Sequence, residues 1–389
     1  MSTETAGKML VEEALRFRPR ILAERDRIEA GRRLPEDLTR DLARAGFFRL
    51  CLPSAYGGLD LDPMEAMAIY EELARADASV AWCVWNGNVN WTTGRLLRET
   101  AQVIFADPAM ILANSTRPSG KAVVVDDGYR VTGRWALVSG CQLGAWFILM
   151  CVVEEDGKPR VTASGTPELR FMLCPAADCE IIDTWTVSGL RGTGSHDVVV
   201  KDQFVPKRYA SFFTDPIVLA GPRHELPAMT RVVPGLAAIA LGVARGAIEA
   251  LLDLAVAKQH ERTGQSVRED VGAQTRISQA EALVRSARLF LWDTIGRLWH
   301  DALQGREVQI KERAEVRLAS WHAVTSAVQA VDLAYLTGGA SSLYASCALE
   351  RAFRDVHAIT QHIAVHPRIL GTTGRVLFGL QPDVPPVTL

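Results

Sequence analysis

The feature that most constrains this chain is a double switch in the spacing of its apolar residues. Residues 1–108 are rich in Ala, Leu, Glu and Arg and carry apolar residues at helical spacing. Residues 109–215 change to short apolar runs punctuated by turn residues. Residues 225–389 return to helical spacing, over stretches at about 229–260, 271–303, 310–337 and 341–365. A chain of 389 residues, 48% of them hydrophobic, can bury two or three cores. The pattern predicts an α+β multidomain protein. Its parts are an N-terminal helical domain (1–108), a central small β-barrel (109–215, where a sandwich would suit the same strands) and a C-terminal four-helix bundle (225–389).

Local signals place the elements. Pro35, followed by Glu36 and Asp37, suits a helix start, and Asp62-Pro63 pairs an N-cap with a first-turn proline for a helix to about Arg75. Tyr56-Gly57-Gly58 reads as a turn between them. Residues 122–125 and 129–135 flank Asp126-Asp127-Gly128 as a hairpin. Further strands are expected at 145–153, 170–174, 180–186 and 197–205. Gly264, Gly305 and Gly338-Gly339 mark breaks between the long helices.

Charge and cysteine usage exclude several classes. The net charge of −2, with both signs interspersed, offers no field for nucleic acid or anionic lipid. The N-terminal stretch is charged and amphipathic rather than signal-like, and apolar runs such as 235–243 fall short of a membrane span. Seven scattered cysteines without a CxxC suit a reducing cytoplasm and no structural zinc. His362 and His366 have i, i+4 spacing but no third ligand beside them, so no metal is expected.

Four segments, in this order, resemble the acyl-CoA dehydrogenase superfamily along nearly the whole chain. They are Leu52-Pro53-x-x-Tyr56-Gly57-Gly58; Gly133-Arg134-Trp135-Ala136-Leu137-Val138-Ser139-Gly140; Gly189-Leu190-Arg191-Gly192-Thr193-Gly194-Ser195 with Val205-Pro206; and Arg351-Ala352-Phe353-Arg354-Asp355. The dehydrogenases abstract an α-proton with a glutamate about nine residues past the arginine of the Arg-Asp pair. Here Ile363 stands there. The family's alternative site, early in the first bundle helix, is also empty, since 226–248 contain no Glu or Asp. Without a carboxylate, α,β-dehydrogenation loses its proton acceptor.

What remains resembles the two-component flavin monooxygenases on the same fold. That resemblance implies reduced flavin (FMNH2 or FADH2) supplied by a separate reductase, O2 as cosubstrate and a C4a-hydroperoxyflavin. The product would be a hydroxylated aromatic or small organic molecule, or an oxidised nitrogen or sulfur centre. It also implies a homotetramer. Residue by residue, His362 matches the histidine near the flavin–oxygen adduct and Ser139 the serine facing flavin N5. Arg262 matches an arginine on flavin phosphate. Trp135, Thr193, Gly338 and Gly339 are further flavin-contact candidates, and Asn88, Trp91 and His357 are candidates for the substrate pocket. Asn86, Asn88 and Asn90 read equally as helix-end groups. An imidazole, with a pKa near neutrality, suits either protonating a nascent peroxide or deprotonating a phenol, and the two roles stay open. The competing expectations are an acyl-CoA dehydrogenase or oxidase with a non-standard base, and a flavin-binding relative without catalysis.

Overall fold

A computed structural model describes residues 3–89, 91–259, 264 and 266–384. The N-terminal region is helical: α1 (Thr3–Gly31), α2 (Glu36–Arg44), α3 (Pro63–Ala76), α4 (Ala78–Gly87) and α5 (Arg98–Ile104). The Asp62-Pro63 signal is realised as a full capping box. Asp62 Oδ1 accepts from Glu65 N at 2.8 Å, and Glu65 Oε2 accepts from Asp62 N at 3.1 Å. Asp77 ends α3 and starts α4, its Oδ1 taking Ser79 N and Val80 N at 2.9 and 3.1 Å. Every residue of α4 is buried, as befits a helix apolar on all sides.

The middle region forms one eight-stranded sheet from β1 (Leu112–Val125), β2 (Gly128–Val138), β3 (Trp146–Glu155), β4 (Lys158–Pro159), β5 (Leu169–Pro175), β6 (Glu180–Ile182), β7 (His196–Pro206) and β8 (Ala210–Ser211). The strand order is β6-β7-β2-β1-β3-β5-β8, with β4 on β3. The β1–β2 hairpin turns at Asp126-Asp127, and β1 pairs with β3 in parallel. No ladder joins β6 to β8 among the described residues, so the barrel-like domain is open at that seam.

The C-terminal region comprises α6 (Pro222–Glu225), α7 (Ala228–Ala257), α8 (Val271–Leu303), α9 (Ile310–Gly338), α10 (Ala348–Ile359) and α11 (Arg368–Leu377). α7, α8, α9 and α10 make the bundle, and α7 also packs on α3. A Cβ on Gly242 of α7 would lie 2.2 Å from the Glu71 carbonyl oxygen, so that close approach requires glycine. By length and composition α7 is apolar enough to cross a membrane, contrary to the expectation from its short apolar runs. In the fold, 72% of its most apolar stretch is buried inside the protein.

The last bundle helix departs from the expected 341–365. α10 stops at Ile359, where the Thr360 hydroxyl takes the His357 carbonyl at 2.6 Å. His366, preceding Pro367, is extended, as a residue before proline prefers. A short 3-10 turn, Ile363–Val365, fills the gap with His362 as its N-cap. His362 therefore stands at a chain break rather than on a helix face. The loop before β7 docks on α10: Leu190 N donates to buried Asp355 Oδ1 at 2.6 Å, and Gly189 leaves no space for a Cβ against the Arg354 carbonyl.

Candidate active site

Ser139 follows β2, whose end is irregular. The β2–β7 register shifts between Trp135 and Val138, and Leu137 has φ of 62°. Such a bulge re-aims the following side chain. The facing loop is similarly unusual, with Leu190 and Gly194 at φ of 53° and 51° around the turn Arg191–Thr193. Two strained segments thus meet at one point, which is where functional geometry tends to be held.

Their hydroxyls form a relay. Trp82 Nε1 of α4 donates to Ser139 Oγ at 3.0 Å. Ser139 Oγ lies 2.8 Å from Ser195 Oγ, which lies 2.7 Å from Thr193 Oγ1, which donates to the Leu190 carbonyl at 2.8 Å. The two ends fix its polarity. Trp82 can only donate and the carbonyl can only accept, so each hydroxyl in between donates toward Leu190. Ser139 has therefore committed its single proton to Ser195 and accepted one from Trp82. Its remaining lone pair can only accept.

The Ser139 backbone is held as firmly. Asn86 Nδ2 donates to its carbonyl at 2.8 Å, Asn114 Nδ2 donates to Asn86 Oδ1 at 3.1 Å, and Trp91 Nε1 donates to Asn114 Oδ1 at 3.0 Å. Trp91 belongs to this network, with its ring stacked on Phe171 at 6.3 Å. It is a support for the site rather than a free pocket wall.

His362 packs edge-on against Trp82 and Trp85, with ring centroids 5.6 and 6.0 Å apart. The first of these tryptophans also holds Ser139, so the expected pair meets at one indole. His362 Nδ1 accepts from Ala364 N at 3.2 Å, which assigns the proton of the neutral ring to Nε2. Burial pushes its pKa down to about 4, and the cations Arg317 and Arg117 push the same way. Arg317, on α9, is 4% exposed, and its Nε and Nη1 have no partner. Desolvation holds its pKa down to about 10. Ile363, at the dehydrogenase base position, is 81% exposed.

Other expectations fall elsewhere. Trp135 is 0% exposed, and its Nε1 donates to the Met150 carbonyl at 2.7 Å inside the β-domain. It has no surface left to offer a flavin and is a core residue. Asn88 spends its amide on Cys51 N, the Phe47 carbonyl and the Val84 carbonyl, which braces α4. His357 leaves the site altogether. Half-exposed, it pairs with Asp332 of α9 at 2.9 Å. Gly338 and Gly339 end α9, where Lys258 Nζ takes the Gly338 carbonyl at 2.6 Å, and no hydrogen bond links them to the Ser139 relay among the described residues. Arg262 and Asn90 lie outside the described residues.

Sequence reasoning missed Trp82, Ser195, Asn114 and Arg317. The i, i+3 spacing of Trp82 and Trp85 was the available signal for a shared face. Arg317, between apolar Val316 and Leu318, was visible as a charge within a buried helix pattern.

Residues 5–98 match the family model "Acyl-CoA dehydrogenase, N-terminal domain", and residues 234–367 match "Acyl-CoA dehydrogenase, C-terminal domain". The chain is 31% identical over 377 residues to the flavin-dependent monooxygenase oxygenase subunit HsaA of Mycobacterium tuberculosis, covering 92% of this chain and 93% of HsaA. It is 30% identical to the oxygenase component of the FADH2-dependent resorcinol hydroxylase of a Rhizobium species, over 91% of this chain and 90% of that one. The solved structure of XiaF from a Streptomyces species, in complex with FADH2 and glycerol, superposes with a TM-score of 0.90 at 26% identity and covers 98% of both chains. With this relatedness and with isoleucine in place of the dehydrogenase base, the chain belongs to the flavin-dependent monooxygenases of the acyl-CoA dehydrogenase family.

Proposed function

We propose that this chain is the oxygenase component of a two-component monooxygenase, which takes reduced flavin from a separate reductase and uses O2 to hydroxylate an aromatic small molecule. The observation that carries the reading is the polarity of the Ser139 relay beside His362. FADH2 is the preferred form, as in the names of the resorcinol hydroxylase and the XiaF complex. The residues fit such a group: a buried oxygen with only acceptor capacity left, and a buried guanidinium with two unpartnered nitrogens.

Bound reduced flavin supplies the electrons for O2 activation. Ser139 Oγ would accept the flavin N5–H and so hold that proton in place against loss. Arg317 would supply positive charge to an anionic flavin ring. Trp82 and Trp85 exclude water from the side occupied by His362. His362, neutral at pH 7 with its hydrogen on Nε2, orients an oxygen by donating to it and is a weak reservoir of imidazolium. An anion bound beside His362 would raise the proton affinity of the imidazole, so acid function would begin once such an anion is bound.

The same reading includes a cytoplasmic homotetramer. The exposed apolar side chains Leu336, Leu343, Tyr344, Leu377 and Phe378 support a second copy covering this end of the bundle. The test is rapid mixing of the anaerobically reduced protein–flavin complex with O2, with labelled O2 followed into product. A delayed return of oxidised-flavin absorbance and label in an aromatic product are expected. Bleaching of bound oxidised FAD by an acyl-CoA, with no labelled product, would overturn the proposal.

A further inference from the structure

Beside Trp85, whose ring also meets His362, a small cavity lies between α3, α4, α6 and α7. Its lining includes Cys51, Tyr70, Trp85, Asn88, Arg223 and Arg231. Its interior space of about 30 Å³ holds about two waters, or the two oxygens of a carboxylate, and no aromatic ring.

The charges around it do not balance. Arg223 is 7% exposed, and its Nη2 has no partner. Among the described residues its carboxylate partner is Asp60, 3.3 Å from Nε and partly exposed to solvent. Arg231 gives Nη2 to the Trp91 carbonyl at 2.9 Å and leaves Nε unpartnered. Adjacent His224 has an unpartnered Nδ1, and the charges of Arg231 and Arg223, after burial, hold its pKa down to about 4. Burial, Arg223 and Arg95 hold the pKa of Arg231 down to about 10. Asp215, whose charge faces Arg95, is engaged bidentately by Arg170 at 2.7 and 3.2 Å. Two guanidiniums thus line a small space against one partly exposed carboxylate. An unpaired buried cation is costly, and a fold retains one where a partner arrives. Guanidinium matches an oxyanion's geometry as well as its charge.

We propose that this cavity receives the carboxylate arm of the substrate, so that the substrate class is an aromatic acid whose ring lies on the Trp85 side, toward His362. The inference rests on the aromatic-monooxygenase reading and deepens it. Trp85 is the shared wall: its ring meets His362, while its Nε1 is spent on the Val232 carbonyl at 3.0 Å.

The experiment is calorimetric binding to the full chain, without flavin or O2, of benzoate against benzamide and phenylacetate against phenylacetamide. At least one acid is expected to bind about tenfold or more tighter than its amide, as for a desolvated charge pair. Arg231→Gln and Arg223→Gln should each abolish the preference. Arg231→Gln also loses the bond to the Trp91 carbonyl, so its melting temperature is read alongside, and a folded variant of either arginine that keeps the preference for the acid overturns the proposal. Equal binding of acid and amide in the unmutated protein, or no binding of any acid at millimolar concentration, overturns the proposal without needing a variant. Acetate alone binding as tightly as the aromatic acids would assign the cavity to a free anion and also overturn it. Since no oxygen chemistry is involved, failure here leaves the rapid-mixing test standing on its own.

Discussion

Replacing Ser139 by alanine tests the polarity of the relay most directly. The substitution removes the acceptor of Trp82 Nε1–H, 3.0 Å away, and the donor to Ser195 Oγ, 2.8 Å away. Trp82 is buried and has no other hydrogen-bond partner among the described residues, so its N–H is left unsatisfied. One such orphan costs about 1–3 kcal/mol of stability. Ser195 loses only an incoming bond and still donates to Thr193, so it adds little. The second consequence is chemical. If Ser139 Oγ holds the flavin N5 proton, losing one hydrogen bond of about 1.4 kcal/mol speeds its escape roughly tenfold. The assay is hydrogen peroxide released per flavin oxidised, alongside thermal melting. Ser195→Ala is the companion. It leaves Ser139 present but frees its proton, so the oxygen can turn from acceptor to donor, and peroxide release should rise there too. Unchanged peroxide yield in both variants, with melting like the parent protein, would refute the assignment of relay direction.

Three further outcomes follow from the same geometry. Trp135→Phe should lose about 1–3 kcal/mol of stability by orphaning the buried Met150 carbonyl, with flavin affinity unchanged; a large loss of flavin affinity would return Trp135 to the cofactor site. Asp355 has its pKa raised from 3.8 to about 7, chiefly by burial and then by Asp77. The stability it contributes is therefore present below the lower value and lost as pH rises through the upper one. Asp355→Asn, which still accepts from Leu190 N, should melt higher than the parent above about pH 7, with the gain shrinking toward acid; a gain independent of pH would contradict the shift. For His362, lowered from 6.5 to about 4, the sign is opposite: its contribution is full above the unfolded value and falls as pH drops between the two. Nuclear magnetic resonance of the flavin-free protein should show a neutral ring, protonated on Nε2, at pH 6, and a midpoint near 6.5 would overturn the account of its environment.

Much of the architecture was legible because it follows from local chemistry. The Asp62-Pro63 cap, the Asp126-Asp127-Gly128 hairpin and the first three long helices of the bundle each depend on residues close in sequence, and each is realised. The missing carboxylate at Ile363 and the empty 226–248 stretch were equally local facts, and they separated monooxygenase from dehydrogenase before any geometry was known. Tertiary structure decided what those side chains do. Trp135 and Ser139 are four residues apart in one motif, yet the bulge at Leu137 sends one into the sheet core and the other to the relay. His357 and His362 are five apart, and the end of α10 places one on a surface aspartate and the other between two tryptophans. The relay itself joins α4, the end of β2 and the loop before β7. Its direction depends on which end can only donate and which can only accept, and that becomes defined only when residues 57 and 56 positions apart are brought within hydrogen-bond distance.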